Sequence, residues 1–489
     1  MKKPSDELHK LVHSLTTNEK GYFVKFAQRQ SESDKTYVQL FNAIQQQEVY
    51  NEAVLRKKFK DLAVAKNYLK ELILQTLRFF DTDNNSPNKI LDKNIAYASI
   101  LARKGLPKSA EKLIEQSITV AENNDLFGRK AILISMLLDL KMREIPREKK
   151  WKFIHDMHNT AAIAIKQNYN ITRALFEQRK IYTLIEARRI GNPFRQLLPK
   201  IDIEFIISRK NSSSVLEKSV CSNSLGAYYD LKEDAKKMYE TFAENLRFNK
   251  KMYYPNFNKN EMVRYSAACF NFIGAAIVTK HFTEAKREIA NLEKLKVDHV
   301  QLRIENIFHL LHAIQELAWS ERKFEHGAKE TVRLMKQKEI KENLAVFTIM
   351  GFTTISNLVL FQFIEGQYKE AFLTIQEFFL LNKTLKNKPL ETDTLLLNVL
   401  LQFEIGNEDL AYNSAHLLYR SIKTKPKTAL YKIVLSLRKF LADRKKNPST
   451  PYPSSLNYEI YNKKLSLNNW LLSKTSGRPL AEIMRESAD

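Results

Sequence analysis

Glycine is scarce in this chain, with 11 among 489 residues, well below the roughly 7% average for proteins. No two glycines stand at the spacing of a GxGxxG or GxxxxGK loop, so the usual phosphate-cradling turns of nucleotide-binding enzymes are excluded. Cysteine is scarcer still. Cys221 and Cys269 are the only two, with no CxxC pair and no histidine pattern beside them, which reads as two buried free thiols, not a disulfide or metal site. Long alternating strand patterns are missing, which leaves an all-α chain. The opening residues carry two lysines and then charged positions where an apolar signal segment would stand, so an intracellular, cytoplasmic location is expected.

Acidic residues are also in short supply, 55 against 79 basic ones, for a formal net charge of +24. Such a field draws anionic partners and says nothing about fold. It is uneven: residues 420–446 hold ten basic side chains against Asp443 alone, and residues 141–152 hold six against Glu144 and Glu148. Residues 344–364, in contrast, run for 21 positions without a charge. That is long enough to span a bilayer. The stretch nevertheless contains Thr353, Thr354, Ser356, Asn357 and Gln362 and leads into a turn, so the expectation is a first helix buried between neighbours, with no membrane span.

What the chain has in abundance is a repeated helical hairpin. Residues 353–384 read as helix, turn, helix, with Gly366 at the turn, Ala371 five later, and Ile375 and Phe378 four and seven beyond that. This spacing lies on one face of a helix. The template recurs as Gly105…Ala110, Asp230…Ala235, Lys280…Ala285, Lys323…Ala328 and Gly406…Ala411. The alanines from Ala235 onward lie 50, 43, 43 and 40 residues apart, in the period range of helical solenoids. Breaks at Ile145-Pro146-Arg147 and Gly191-Asn192-Pro193 supply further turns. Residues 148–167 and 171–190 are expected to be separate helices. The expected organisation is an N-terminal helical domain over 1–87, a hairpin array over 88–446, and a proline-containing linker and tail over 447–489, the tail having enough aromatic residues to dock but not to build a core.

The turn Gly366-Gln367-Tyr368-Lys369-Glu370-Ala371 resembles the mid-repeat signature of tetratricopeptide repeats, Gly-x-Tyr-x-Glu-Ala, and Lys280 to Ala285 is similar with the glycine replaced. The resemblance implies a right-handed α-solenoid. Two features depart from that family: a period of about 43 where the family has 34, and large residues seven after the alanine (Phe242, Leu292, Met335, Phe378, Leu418) where the family has a small one. The opening LHKLVHSLTTNEKGYFVKF with KNYLKELILQTLRFF resembles a family of uncharacterised bacterial proteins with helical-repeat bodies, which carries no activity to transfer.

No catalytic constellation is present. His9/His13, His155/His158 and His309/His312 stand three or four apart, but none is joined by the glutamate of HExxH, and there is no GxSxG. Neither enzyme activity, nor a cofactor, nor a metal is expected. The leading expectation is a protein-binding scaffold that holds an extended or helical, acidic segment in a groove lined by first helices. In tetratricopeptide arrays asparagines on those helices hold the peptide, and Asn271 and Asn357, each 14 before its hinge alanine, occupy equivalent places. Lys439, Arg444, Lys445 and Lys446 are the second candidate surface, on a closing helix whose single acid leaves them without local neutralisation. The alternative is a nucleic-acid-binding regulator that reads through residues 52–59 and 64–80, with Arg56, Lys57, Lys58, Lys60, Lys66 and Lys70. Residues 1–87 hold 14 basic and 11 acidic residues, a weak charge for a DNA reader.

Overall fold

The computed structural model describes residues 6–30, 34–80, 86–142, 144–189, 194–253, 259–297, 300–337, 340, 348–385, 388–422, 428–460 and 464–487. The described chain is almost entirely helical, and helices that follow one another pack together. It divides into two compact units, Met1–Asn168 and Tyr169–Asp489.

The first unit holds two separate apolar cores. Helices α1 (Glu7–Ser14), α2 (Thr17–Gln30), α3 (Asp34–Gln45), α4 (Glu52–Lys58) and α5 (Leu62–Phe80) close around Val12, Phe23, Leu40, Phe41, Leu55 and Leu69. Helices α6 (Pro87–Arg103), α7 (Pro107–Asn123) and α8 (Phe127–Lys141) bury Leu91, Ala110, Ile114 and Leu133. The two cores share no residue; positions 81–85 of the expected break lie outside the described residues. Helix α9 (Arg147–Arg189) is continuous for 43 residues, and the division between units falls within it. This corrects the expected turn near residue 170. The intervening Asn168-Tyr169-Asn170 has neither proline nor glycine, so nothing interrupts the hydrogen-bond ladder. After α9 come a 3₁₀ turn (Arg195–Lys200) and α10 (Ile203–Arg209).

The second unit then runs through hairpins α11 (Val215–Leu231) with α12 (Ala235–Tyr253), α13 (Lys259–Val278) with α14 (Phe282–Glu293), and α15 (Val300–Ser320) with α16 (Phe324–Met335). Next come α17 (Thr348–Ile364) with α18 (Tyr368–Leu385) and α19 (Lys388–Glu404) with α20 (Glu408–Ile422), closed by α21 (Ala429–Lys446). The first helices α11, α13, α15 and α17 pack successively on one another. Residues 344–347 lie outside the description; the remainder of that uncharged stretch is a core helix, with Phe352, Ile355, Phe361 and Phe363 at most 2% exposed. Among the described residues no helix is long and apolar enough to cross a membrane.

The hairpin turns share one geometry. Gly105, Asp125, Glu233, Lys280, Arg322, Gly366 and Gly406 each have positive φ, between 55 and 85°, and the next helix begins two residues later. The N–H after each of them donates back five residues, as Leu106 to Leu101 at 3.0 Å, His281 to Ala276 at 2.7 Å and Gln367 to Gln362 at 2.8 Å. Those bonds satisfy the orphan carbonyls of the ending helix. This geometry corrects the expected register at two turns. At α16 the residue five after the left-handed Arg322 is Gly327, not Ala328, and a Cβ there would meet Ala318 Cβ and Phe361 at 2.8 Å. At α12 that place is held by Met238, and the close approach comes instead from Gly226 of α11, where a Cβ would lie 2.5 Å from Phe242.

The tail is part of the core of the second unit. A short antiparallel pair, β1 (Glu459–Ile460) with β2 (Leu465–Ser466), leads into α22 (Leu467–Ser476) and α23 (Leu480–Glu486). Leu456, Ile460, Leu465, Leu467, Trp470 and Leu480 join the same apolar cluster as α13 to α19.

Candidate functional site

Polar side chains run through the stacked first helices. Asn271 Nδ2 donates to Asn223 Oδ1 at 3.1 Å, and Asn245 Nδ2 donates to the same oxygen at 2.8 Å. Ser266 donates to Asn306 at 2.9 Å, and Asn306 donates onward to the Leu292 carbonyl at 3.1 Å. Asn357 Nδ2 donates to Gln315 Oε1 at 3.0 Å, while Gln315 Nε2 donates to the Thr354 carbonyl at 2.9 Å and to Thr331 Oγ1 at 3.2 Å. Each layer thus ties one first helix to the next and satisfies groups that burial would otherwise leave costly. Asn271 is half-buried in its layer and Asn357 is buried.

Asn357 has one more contact, and it comes from the tail. Lys464, just before β2, places its Nζ 2.7 Å from Glu316 Oε1 and 3.1 Å from Asn357 Oδ1, with the Trp319 ring centroid 5.2 Å away. Ten residues on, Lys474 Nζ lies 2.6 Å from Glu404 Oε2 and 5.8 Å from the Tyr368 ring. The other oxygen of Glu404 accepts the Trp470 indole N–H at 2.6 Å. Arg485 of α23 donates to Glu365 at 2.8 Å, and Tyr458 donates to Asp393 at 3.3 Å. Glu316, Glu365 and Glu404 stand in or just past the closing turns of α15, α17 and α19. Helix C-termini disfavour negative charge, so carboxylates there need cations, and the tail supplies them. Burial, and then Glu404, pushes the Tyr368 hydroxyl well above its ordinary range. Burial beside Asp393 pushes Tyr458 up to about 12.

The α21 cluster is partly neutralised, not by acids of its own stretch but from the neighbouring helix. Acids from the first turn of α20 reach it: Arg444 pairs with Glu408 at 2.9 Å and Lys445 with Asp409 at 2.6 Å. Arg444 also stacks over Phe403 and Tyr452, at 5.2 and 5.6 Å. The sequence interval between these partners, some 36 residues, hid them from a local reading. Lys439 and Lys446 are exposed.

Three bases of the alternative, nucleic-acid-reading region are held by carboxylates. Arg56 and Lys66 meet Glu52 at 2.7 and 3.2 Å, and Lys70 meets Glu7 at 2.7 Å. His9, His13 and His309 are likewise engaged, whereas His155 and His158 are exposed. His9 and His13 face backbone carbonyls of Gln47 and Ile44, and half-buried His309 lies 3.3 Å from Ser266 and stacks on Phe270. Among the described residues no group of three or more His, Cys, Asp or Glu could hold a metal ion. Cys221 and Cys269 are free and buried, and burial pushes both thiols up to about 12, far from the range of a nucleophile.

No protein-family model matches the chain, and no curated protein matches it.

Proposed function

We propose that this protein is a non-catalytic protein-binding scaffold, in which a right-handed solenoid of hairpins presents its first-helix face to an extended or helical partner segment. The observation that carries the reading is the seating of residues 456–460 and 464–487 on that face. A short extended pair followed by two helices is gripped by α15, α17 and α19 through Glu316, Asn357, Glu365 and Glu404. A face that holds one such segment has the shape and polar anchors to hold another. Asn357 acts in it as an acceptor aimed at the bound segment. The acidic partner that the net charge favours finds its cations elsewhere, at the exposed Lys439 and Lys446, where positive charge speeds encounter.

Photo-crosslinking tests this. Crosslinkers at Thr353 and Asp393, on first helices, should capture a protein partner in cells. The same group at Leu373 and Leu417, exposed on second helices, should capture it much less. Equal capture from both sets, or from neither, would overturn the reading.

A further inference from the structure

We propose that this face carries two sockets for primary ammonium groups, which read a pair of lysines in a partner segment in competition with the chain's own tail. The inference rests on the scaffold reading and names what the partner must present. Socket one combines a carboxylate, a directed amide oxygen and an aromatic ring around one point: Glu316 at 2.7 Å, Asn357 Oδ1 at 3.1 Å and the Trp319 ring at 5.2 Å from Lys464 Nζ. The amide oxygen is aimed, because Asn357 Nδ2 is held by Gln315, and Gln315 by Thr331 and the Thr354 carbonyl. Trp319 is itself fixed between Phe324 and Phe361, with centroids at 5.2 and 5.1 Å. Socket two repeats the carboxylate and ring with Glu404 and Tyr368 around Lys474 Nζ.

An ammonium has three donors on a compact charge and suits such a three-sided site; a planar guanidinium matches a fork of acceptors better. In socket two the acceptor sits deeper than the cation, the Glu404 side chain being 6% exposed against 23% for Lys474; in socket one the order is reversed, with Glu316 33% exposed. Lys464 is 21% exposed. Solvent therefore reaches both lysines in place, and a competing lysine can enter as one leaves. The fitting ligand is a polypeptide with two lysines about ten positions apart, as Lys464 and Lys474 are, and an aromatic residue one helical turn before the second, as Trp470 is.

The test uses the full chain and its Lys464→Gln/Lys474→Gln variant, which vacates both sockets. The probes are a fluorescent peptide of residues 456–487 and the same peptide with both lysines replaced by glutamine, followed by anisotropy. The lysine peptide should bind the variant about tenfold or more tighter than it binds the parent chain, and tighter than the glutamine peptide by a similar factor. Adding Glu316→Gln and Glu404→Gln should erase the difference between peptides. If the double variant fails to fold, K464Q alone vacates socket one and is probed with a peptide changed only at Lys464. Equal binding of the two peptides, equal binding to the two chains, or no peptide binding at all would overturn the proposal. Crosslinking of a partner to the first helices while both peptides bind alike would keep the scaffold and remove the sockets.

Discussion

Ala371 and His309 show how single residues hold the array. Ala371 is fully buried at the start of α18, packed in the core of the second unit. Ala371→Leu would force extra carbons into that contact and should cost roughly 1–3 kcal/mol in denaturant unfolding. Its place was readable because a small residue at a fixed distance from a turn has a steric cause. His309 was not readable in the same way. Burial, and then the neighbouring His312, lowers it to about 4, against about 6.5 when unfolded. Between those values the unfolded chain binds the proton and the folded chain does not, so stability is full above about pH 6.5 and falls as pH drops to about 4. The loss approaches roughly 3 kcal/mol. In His309→Gln this component should disappear, leaving a flatter curve of melting temperature against pH in that window. A curve as steep as the parent's would contradict a neutral His309 in the folded chain.

At the scale of elements, the turns show what a sequence states clearly and what it blurs. Where glycine occupies the left-handed position, at Gly105, Gly366 and Gly406, both the turn and its alanine were placed correctly. Where a charged residue takes that conformation, the reading was right at Lys280 but slipped by one at Arg322 and by three at Glu233, since an alanine near the turn was a weaker guide than positive φ itself. Lys280→Gly and Arg322→Gly should each stabilise the chain by about 0.5–1 kcal/mol, because glycine adopts positive φ without steric penalty. Gly366→Ala should cost about 1 kcal/mol by the same argument, and chemical denaturation would measure all three. The long helix α9 failed to be foreseen for a related reason: an expected hairpin length suggested a break where no residue breaks a helix.

On the scale of the second unit, periodicity disclosed the hairpins but not what covers them. Glu316 and Glu404 sit about 150 and 70 residues from the lysines they hold, and no local pattern links such positions. The signal that existed was electrostatic: carboxylates near the C-terminal ends of first helices, against the helix dipole, with a lysine-bearing tail to answer them. The candidate Asn357 was legible from its repeat position, whereas Glu316, Trp319, Tyr368 and Glu404 became visible only when the tail was in place. The most direct measurement is hydrogen–deuterium exchange on the full chain and on its Glu316→Gln/Glu404→Gln variant. The account predicts that amides of α22 and of Leu465–Ser466 exchange about tenfold or more faster in the variant, while those of α13 to α20 keep their protection. Unchanged protection over α22, or a loss spread evenly through the hairpins, would contradict a tail held on the first-helix face by those two carboxylates.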